Sequence, residues 1–208
     1  MAAQTARLLA LAFDPDVRTA DDAISRRILD AALELAAASG LKHLTMDDVA
    51  QRAGVGRMTV YRRFGSKATL VDALAVRECR RCLATISDAL DPSAGFADRA
   101  ASLFVAVLGV IREHPLLARL ARVEPEALLN ELTRDDSAVF HLVHEFLIDL
   151  VRQAQDGGEL IPVEPTVLAE IGLRLGASFV LMPDSALPLE DARTTHEAVR
   201  GLLAPMLV

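Results

Sequence analysis

The sequence predicts an all-α fold, with a small N-terminal three-helix unit built around a helix-turn-helix and a larger C-terminal helical bundle. Apolar residues recur at three- and four-residue intervals from Asp21 onward, the period of a helix with one buried face. No stretch alternates apolar and polar residues with β-branched enrichment, as a half-buried strand does. The breaks between periodic stretches are marked by His114-Pro115, Glu124-Pro125, Asp156-Gly157-Gly158, Pro162, Pro165, Pro183 and Pro188, which interrupt helices or start turns.

Each element has its own signal. Ile24, Ile28, Ala31, Ala32 and Leu35 line one face of a first helix that Gly40 terminates. Thr45 starts a second helix running to Ala53, and Asp48, three residues on, answers it as in a capping box. Its inward residues are Met46, Val49 and Ala50. Gly54 ends that helix, Val55 is the apolar residue of the turn, and a third helix spans about Arg57 to Arg63. Two short helices joined by a glycine-containing turn form a helix-turn-helix. Ser66 caps a long fourth helix striped by Leu70, Leu74, Cys82, Ile86 and Leu90 and closed at Asp91-Pro92. Further helices are expected over about Phe96 to Glu113, Leu116 to Ala121, Ser137 to Gln155, Thr166 to Leu181 and Glu190 to Val208.

Composition narrows the class. At 208 residues, with 52% hydrophobic and 25% charged residues, the chain is too apolar for general disorder. Its longest apolar run, Leu103 to Ile111, falls far short of the roughly 18 residues of a membrane span. Leu8 to Phe13 imitates a short signal peptide, but Asp14-Pro15-Asp16 stands where a small-residue cleavage site is wanted. Residues 1–21 are therefore expected to be a flexible arm or short extra helix, and the protein to be cytoplasmic. The net charge of −7 hides an asymmetry: residues 42–81 carry nine Lys/Arg against four acids, whereas residues 82–208 carry nine Arg against nineteen. A basic segment within an acidic chain is the footprint of a localised polyanion contact.

The stretch from Leu44 to Lys67, LTMDDVAQRAGVGRMTVYRRFGSK, resembles the DNA-binding segment of the tetracycline-repressor (TetR) family of bacterial transcriptional regulators. The glycine turn, the Thr-Val-Tyr step, the Phe and the Ser-Lys pair stand at the family's mutual spacing, and the resemblance covers about residues 22–82. It implies three segments: the arm at 1–21, a DNA-binding domain at 22–82 with its helix-turn-helix at 45–64, and an effector-binding and dimerisation domain at 83–208. The residue types agree independently. A recognition helix places its N-terminal residues on base edges in the major groove, so Arg57, Met58 and Thr59 are the expected base readers: a guanidinium suits guanine, and a thioether or methyl suits the thymine methyl. Tyr61, Arg62 and Arg63 lie further along, where they reach phosphates, and Lys67 sits beside the free amides of the next helix. The resemblance adds Thr45, Tyr61 and Lys67 as backbone-holding positions and Phe64 as core. Gly56 departs from the family, which commonly has Ser or Thr as cap there; this removes a hydroxyl that reaches phosphate.

In the family the C-terminal domain holds a small-molecule pocket. Spacing alone offers Phe104, Leu108, Leu120, Phe140, His144, Leu147 and Phe179 as lining for a mostly hydrophobic effector, and equally as plain core. Gly172 and Gly176 leave one helix face small enough for close helix packing, and Val199, Leu202, Leu203 and Met206 stripe the last helix. Two such pairs across a two-fold axis form an intermolecular four-helix bundle, matching the family's dimer. The expected function is thus a dimeric, ligand-responsive regulator, a repressor by resemblance, on a palindromic operator.

Two other functions are compatible with parts of the sequence. An all-helical enzyme or metal-binding bundle draws on His141, His144 and Glu145, but no further residue has metal-ligand spacing. No nucleophile elbow, phosphate loop or dinucleotide fingerprint argues for an enzyme, so neither catalysis nor a cofactor is expected. The other is a constitutive DNA binder without effector. Cys79 and Cys82 form a C-x-x-C flanked by Arg77, Arg80 and Arg81, whose charges favour thiolates, but the strand context of a redox enzyme is absent.

Overall fold

The structure, a computed structural model, describes residues 22–134, 136–182 and 184–204. The arm expected over residues 1–21 and the interface residue Met206 lie outside them. Among the described residues there are ten helices and no strand. In chain order they are α1 (Ala23–Ser39), α2 (Met46–Ala53), α3 (Arg57–Phe64), α4 (Lys67–Asp88), α5 (Phe96–Glu113), α6 (Pro115–Val123), α7 (Pro125–Thr133), α8 (Ala138–Asp156), α9 (Pro165–Leu181) and α10 (Ala192–Leu203). The chain divides into two compact units between Arg80 and Arg81, within α4.

In the first unit, the Asp22 carboxylate accepts the amides of Ile24 and Ser25 at 2.9 and 2.8 Å and so caps α1. The helix buries Ser25, Ile28, Leu29, Ala32 and Ala36 completely and Ala31 nearly so. The buried face is turned toward Leu29 relative to the expected stripe, which leaves Ile24 37% exposed. Helix α2 buries Met46, Val49 and Ala50, as its pattern predicts, and Ala53 as well. Val60 and Phe64 of α3 and Leu70 and Leu74 of α4 complete the core.

The turn between α2 and α3 is a Schellman closure. Gly54 adopts φ 63°, ψ 40°, a left-handed conformation that costs L residues energy and glycine none. Its N–H reaches the Gln51 carbonyl at 3.2 Å, and the Val55 N–H reaches that of Ala50 at 3.0 Å. Arg27 of α1 donates through Nη2 to the Ala53 carbonyl at 2.6 Å and satisfies an end that the closure leaves over.

The second unit is a helical assembly in which α5 packs on α10 and α6, α6 on α7, α7 on α8, and α8 on α9, with a smaller contact between α9 and α5. Leu108, Leu116, Leu120, Phe146, Ile148, Val151, Ala154, Ala169 and Leu173 are buried. Helix α7 has no counterpart among the elements expected from sequence. It buries no residue fully, so it offers no stripe, although Pro125 at its first position is a start signal. Helix α6 begins at Pro115, with His114 Nδ1 accepting the Leu117 amide at 3.3 Å. Helix α10 begins two residues later than expected, because Asp191 caps it through the Thr194 amide at 2.7 Å. Among the described residues no single helix is long and apolar enough to cross a membrane.

Candidate nucleic-acid interface

The geometry of the first unit exposes α3. Its far side is anchored by Val60 and Phe64, 0% and 3% exposed, and Arg57, Met58 and Arg62 are exposed. Gly56 precedes it in extended conformation and supplies no side-chain cap. The first turn of α3 contains no acid, so its own residues leave the positive end of the helix dipole uncompensated.

Three expected base readers open this helix. Met58 is 77% exposed, an unusual position for a thioether on a polar surface. The Arg57 side chain is 63% exposed, with Nε 2.9 Å from Asp47 Oδ1 on α2. Its guanidinium carbon also lies 5.4 Å from the centroid of the Tyr61 ring, one turn further on, within cation–π range. Thr59 is half-buried beside Gly56.

The expected phosphate-holding residues divide. Arg62 is exposed, and Tyr61 is half-buried beneath Arg57. The exposed Thr45 hydroxyl accepts the Asp48 amide at 3.1 Å and donates to the Asp48 carboxylate at 2.6 Å. The hydroxyl half of the expected box is made, and in place of the reciprocal bond to the Thr45 amide the carboxylate accepts the Thr45 hydroxyl. Ser66 caps α4 by accepting the Thr69 amide at 3.2 Å, and Lys67 donates to the Lys42 carbonyl at 2.9 Å. Arg63 differs from the rest. Its side chain is only 22% exposed and pairs with Asp22, and Nη1 donates to the buried Ser25 hydroxyl at 2.9 Å. The backbone amide of Ser25, then Arg63, and also the Ile24 amide hold the Asp22 carboxyl below the ordinary carboxylate range. Arg63 therefore ties α3 to the cap of α1.

Sequence reasoning also misses two residues. Arg27 and Asp47 fix the turn and the Arg57 side chain, yet each acts across a gap in sequence of ten or more residues. No local pattern signals such pairs.

In the second unit two ring pairs form among the seven candidate pocket residues. Phe104 meets Phe179 edge-on at 5.2 Å between centroids, and Phe140 lies 5.4 Å from His144. Leu108 and Leu120 are buried, and Leu147 is half-buried. His144 Nε2 lies 3.0 Å from the Thr166 carbonyl. A recess of about 370 Å³ lies elsewhere, between Gly95–Asp98, Gly158, Glu159 and Ala204, and none of the seven lines it. Among the described residues no three His, Cys, Asp or Glu side chains are grouped as a metal site requires. On α9, Val167, Ile171 and Leu175 are each at least half exposed. A Cβ placed on Gly172 or Gly176 would meet no atom within 4 Å. On α10, Leu202 is 63% exposed, whereas Val199 and Leu203 are half-buried.

A capped scaffold helix, a left-handed glycine turn and an exposed basic second helix define a helix-turn-helix DNA-binding protein. Residues 28–74 match the family model described as bacterial regulatory proteins, tetR family. The chain is 24% identical over 180 residues to the uncharacterized HTH-type transcriptional regulator YhgD of Bacillus subtilis, covering 85% of this chain and 90% of that one. It is 27% identical over 166 residues to the HTH-type transcriptional regulator AlkX of Mycobacterium tuberculosis, covering 76% and 75%. Its fold is similar to that of the TetR family repressor AlkX from a Dietzia strain, implicated in biodegradation of n-alkanes: TM-score 0.61, 22% identity, 90% and 96% of the two chains. The likeness to the tetR family is thus carried in sequence by residues 28–74, and in fold by the similarity to TetR-family structures.

Proposed function

We propose that the protein is a cytoplasmic, homodimeric repressor that binds a palindromic operator and is released by a small apolar effector. The carrying observation is the exposed opening of α3, where Arg57 and a 77% exposed Met58 stand together on a helix anchored from behind. Arg57, Met58 and Thr59 read base edges, and Thr45, Tyr61, Arg62 and Lys67 hold phosphates. Arg63 leaves this set because its guanidinium is committed to Asp22 and Ser25.

The α9 stripe of Val167, Ile171 and Leu175, with the open space over Gly172 and Gly176, supports the dimer. The described part of α10 contributes Leu202, with Val199 and Leu203 beside it. A two-fold dimer has to present its two recognition helices to half-sites about 34–36 Å apart, one DNA turn. The Dietzia relative, a repressor implicated in n-alkane biodegradation, supports both the sign of regulation and an apolar effector acting in the second unit. Because linkage is reciprocal, effector and operator each weaken the other's binding.

Sedimentation and operator titration of Gly176→Leu test the reading. A Cβ at Gly176 meets nothing else of its own chain within 4 Å, so a folded, monomeric protein with much weaker operator binding is expected. A variant that remains dimeric with unchanged affinity contradicts this interface.

A further inference from the structure

We propose that Asp47 is a positioning residue that turns Arg57 from a general phosphate contact into a reader of guanine; this rests on the DNA-reading role of α3. The two residues sit on different helices, Asp47 in the first turn of α2 and Arg57 in the first turn of α3, and meet at 2.9 Å through Arg57 Nε. The Tyr61 ring lies beneath the same guanidinium, with its centroid 5.4 Å away. A long side chain with many rotamers is thereby restrained by two contacts before any DNA arrives.

The chemistry of the contact matters. The closest approach uses Nε, and neither terminal nitrogen of Arg57 makes a hydrogen bond among the described residues. Those two nitrogens are the pair that bonds guanine O6 and N7 in a bidentate contact. To swing onto a phosphate, Arg57 has to leave Asp47 uncompensated beside a polyanion, so the carboxylate disfavours that alternative.

Stability does not account for the pair. With side chains 63% and 57% exposed, it is of the class that contributes little in water. An acid on a DNA-facing surface also weakens binding to every sequence, since it opposes the phosphate field. What it supplies is orientation, which appears in the ratio between cognate and altered sites and not in affinity as such.

The test is a double-mutant cycle read on a duplex panel: the selected operator, its variants at each base pair, and a random duplex. Arg57→Ala is expected to lower discrimination at one base pair per half-site by about 5- to 150-fold. Asp47→Asn is expected to raise affinity for all duplexes, including the random one, yet to lower discrimination at that same base pair by about 2- to 5-fold. Asp47→Glu is expected to restore part of it. In the Arg57→Ala background, Asp47→Asn should leave the discrimination ratios unchanged. The proposal is overturned if Asp47→Asn shifts every duplex equally with Arg57 present. It is equally overturned if Asp47→Asn alters base preference with Arg57 absent, since Asp47 then reads a base itself. Failure of the wild-type protein to prefer any duplex would instead overturn the DNA-reading role.

Discussion

Arg62 and Arg63 are adjacent, identical in type and on one helix, yet the structure gives them opposite expected phenotypes. Removing the Arg63 side chain strips the buried Ser25 hydroxyl of its 2.9 Å partner and disconnects α3 from the start of α1. The Asp22 end of the contact is exposed and screened by solvent, so the cost is carried by Ser25, which is 0% exposed. An unsatisfied buried hydroxyl costs about 1–3 kcal/mol. Arg63→Ala should therefore lower the stability of the first unit by about that amount, read from its urea transition. With the fold maintained well below that transition, its DNA affinity should keep the wild-type salt dependence. Arg62→Ala should unfold within about 0.5 kcal/mol of wild type. It should also weaken binding to all duplexes and reduce the slope of log K against log salt by about 0.9 for each phosphate that Arg62 neutralises. If Arg63→Ala unfolds like wild type while flattening the salt slope, Arg63 holds phosphate and the anchoring role assigned to it is wrong.

Two further substitutions follow from the same unit. Gly56 has ordinary extended dihedrals, and a Cβ there would meet only Thr59 Oγ1, at 3.8 Å. Gly56→Ser should therefore fit, cap α3 through the Thr59 amide, and raise stability by a few tenths of a kcal/mol; a lower urea midpoint would show that the serine does not cap. The folded Asp22 carboxyl titrates below its ordinary value of 3.8, so its contribution is present above that value and is lost as pH falls through the lower folded one. Asp22→Asn keeps a capping side chain, so the wild-type advantage in thermal melts should be constant near neutral pH and shrink below about pH 4. An advantage that persists unchanged to about pH 2 would place the stabilisation elsewhere than in the charge.

Local rules are what the sequence displays most openly. Thr45 and Ser66 cap, Gly54 turns, and Met46, Val49, Ala50 and Phe64 are buried, each because a residue type at short spacing meets a backbone need. Helix α7 escapes because a nine-residue helix that buries nothing fully has no period to detect. The pairings that set the interface are long-range: Arg27 with the end of α2, Asp47 with Arg57, and Arg63 with Asp22. Each depends on helices crossing, which spacing along one helix does not encode. The same limit applies to the second unit. Phe140 and His144 are neighbours four residues apart on α8, whereas the contact of Phe104 with Phe179 arises only when α5 and α9 are placed. Conversely, the empty space over Gly172 and Gly176 gives structural content to what is only a compositional hint in the sequence.

The central claim is that α3 reads a DNA sequence, and selection of the purified wild-type protein on a random duplex library tests it most directly. The expected result is enrichment of one palindrome with half-site centres about one helical turn apart, abolished when Arg57, Met58 and Thr59 are all replaced by Ala. Recovery of a library indistinguishable from its input, or of the same palindrome by the triple variant, would contradict it.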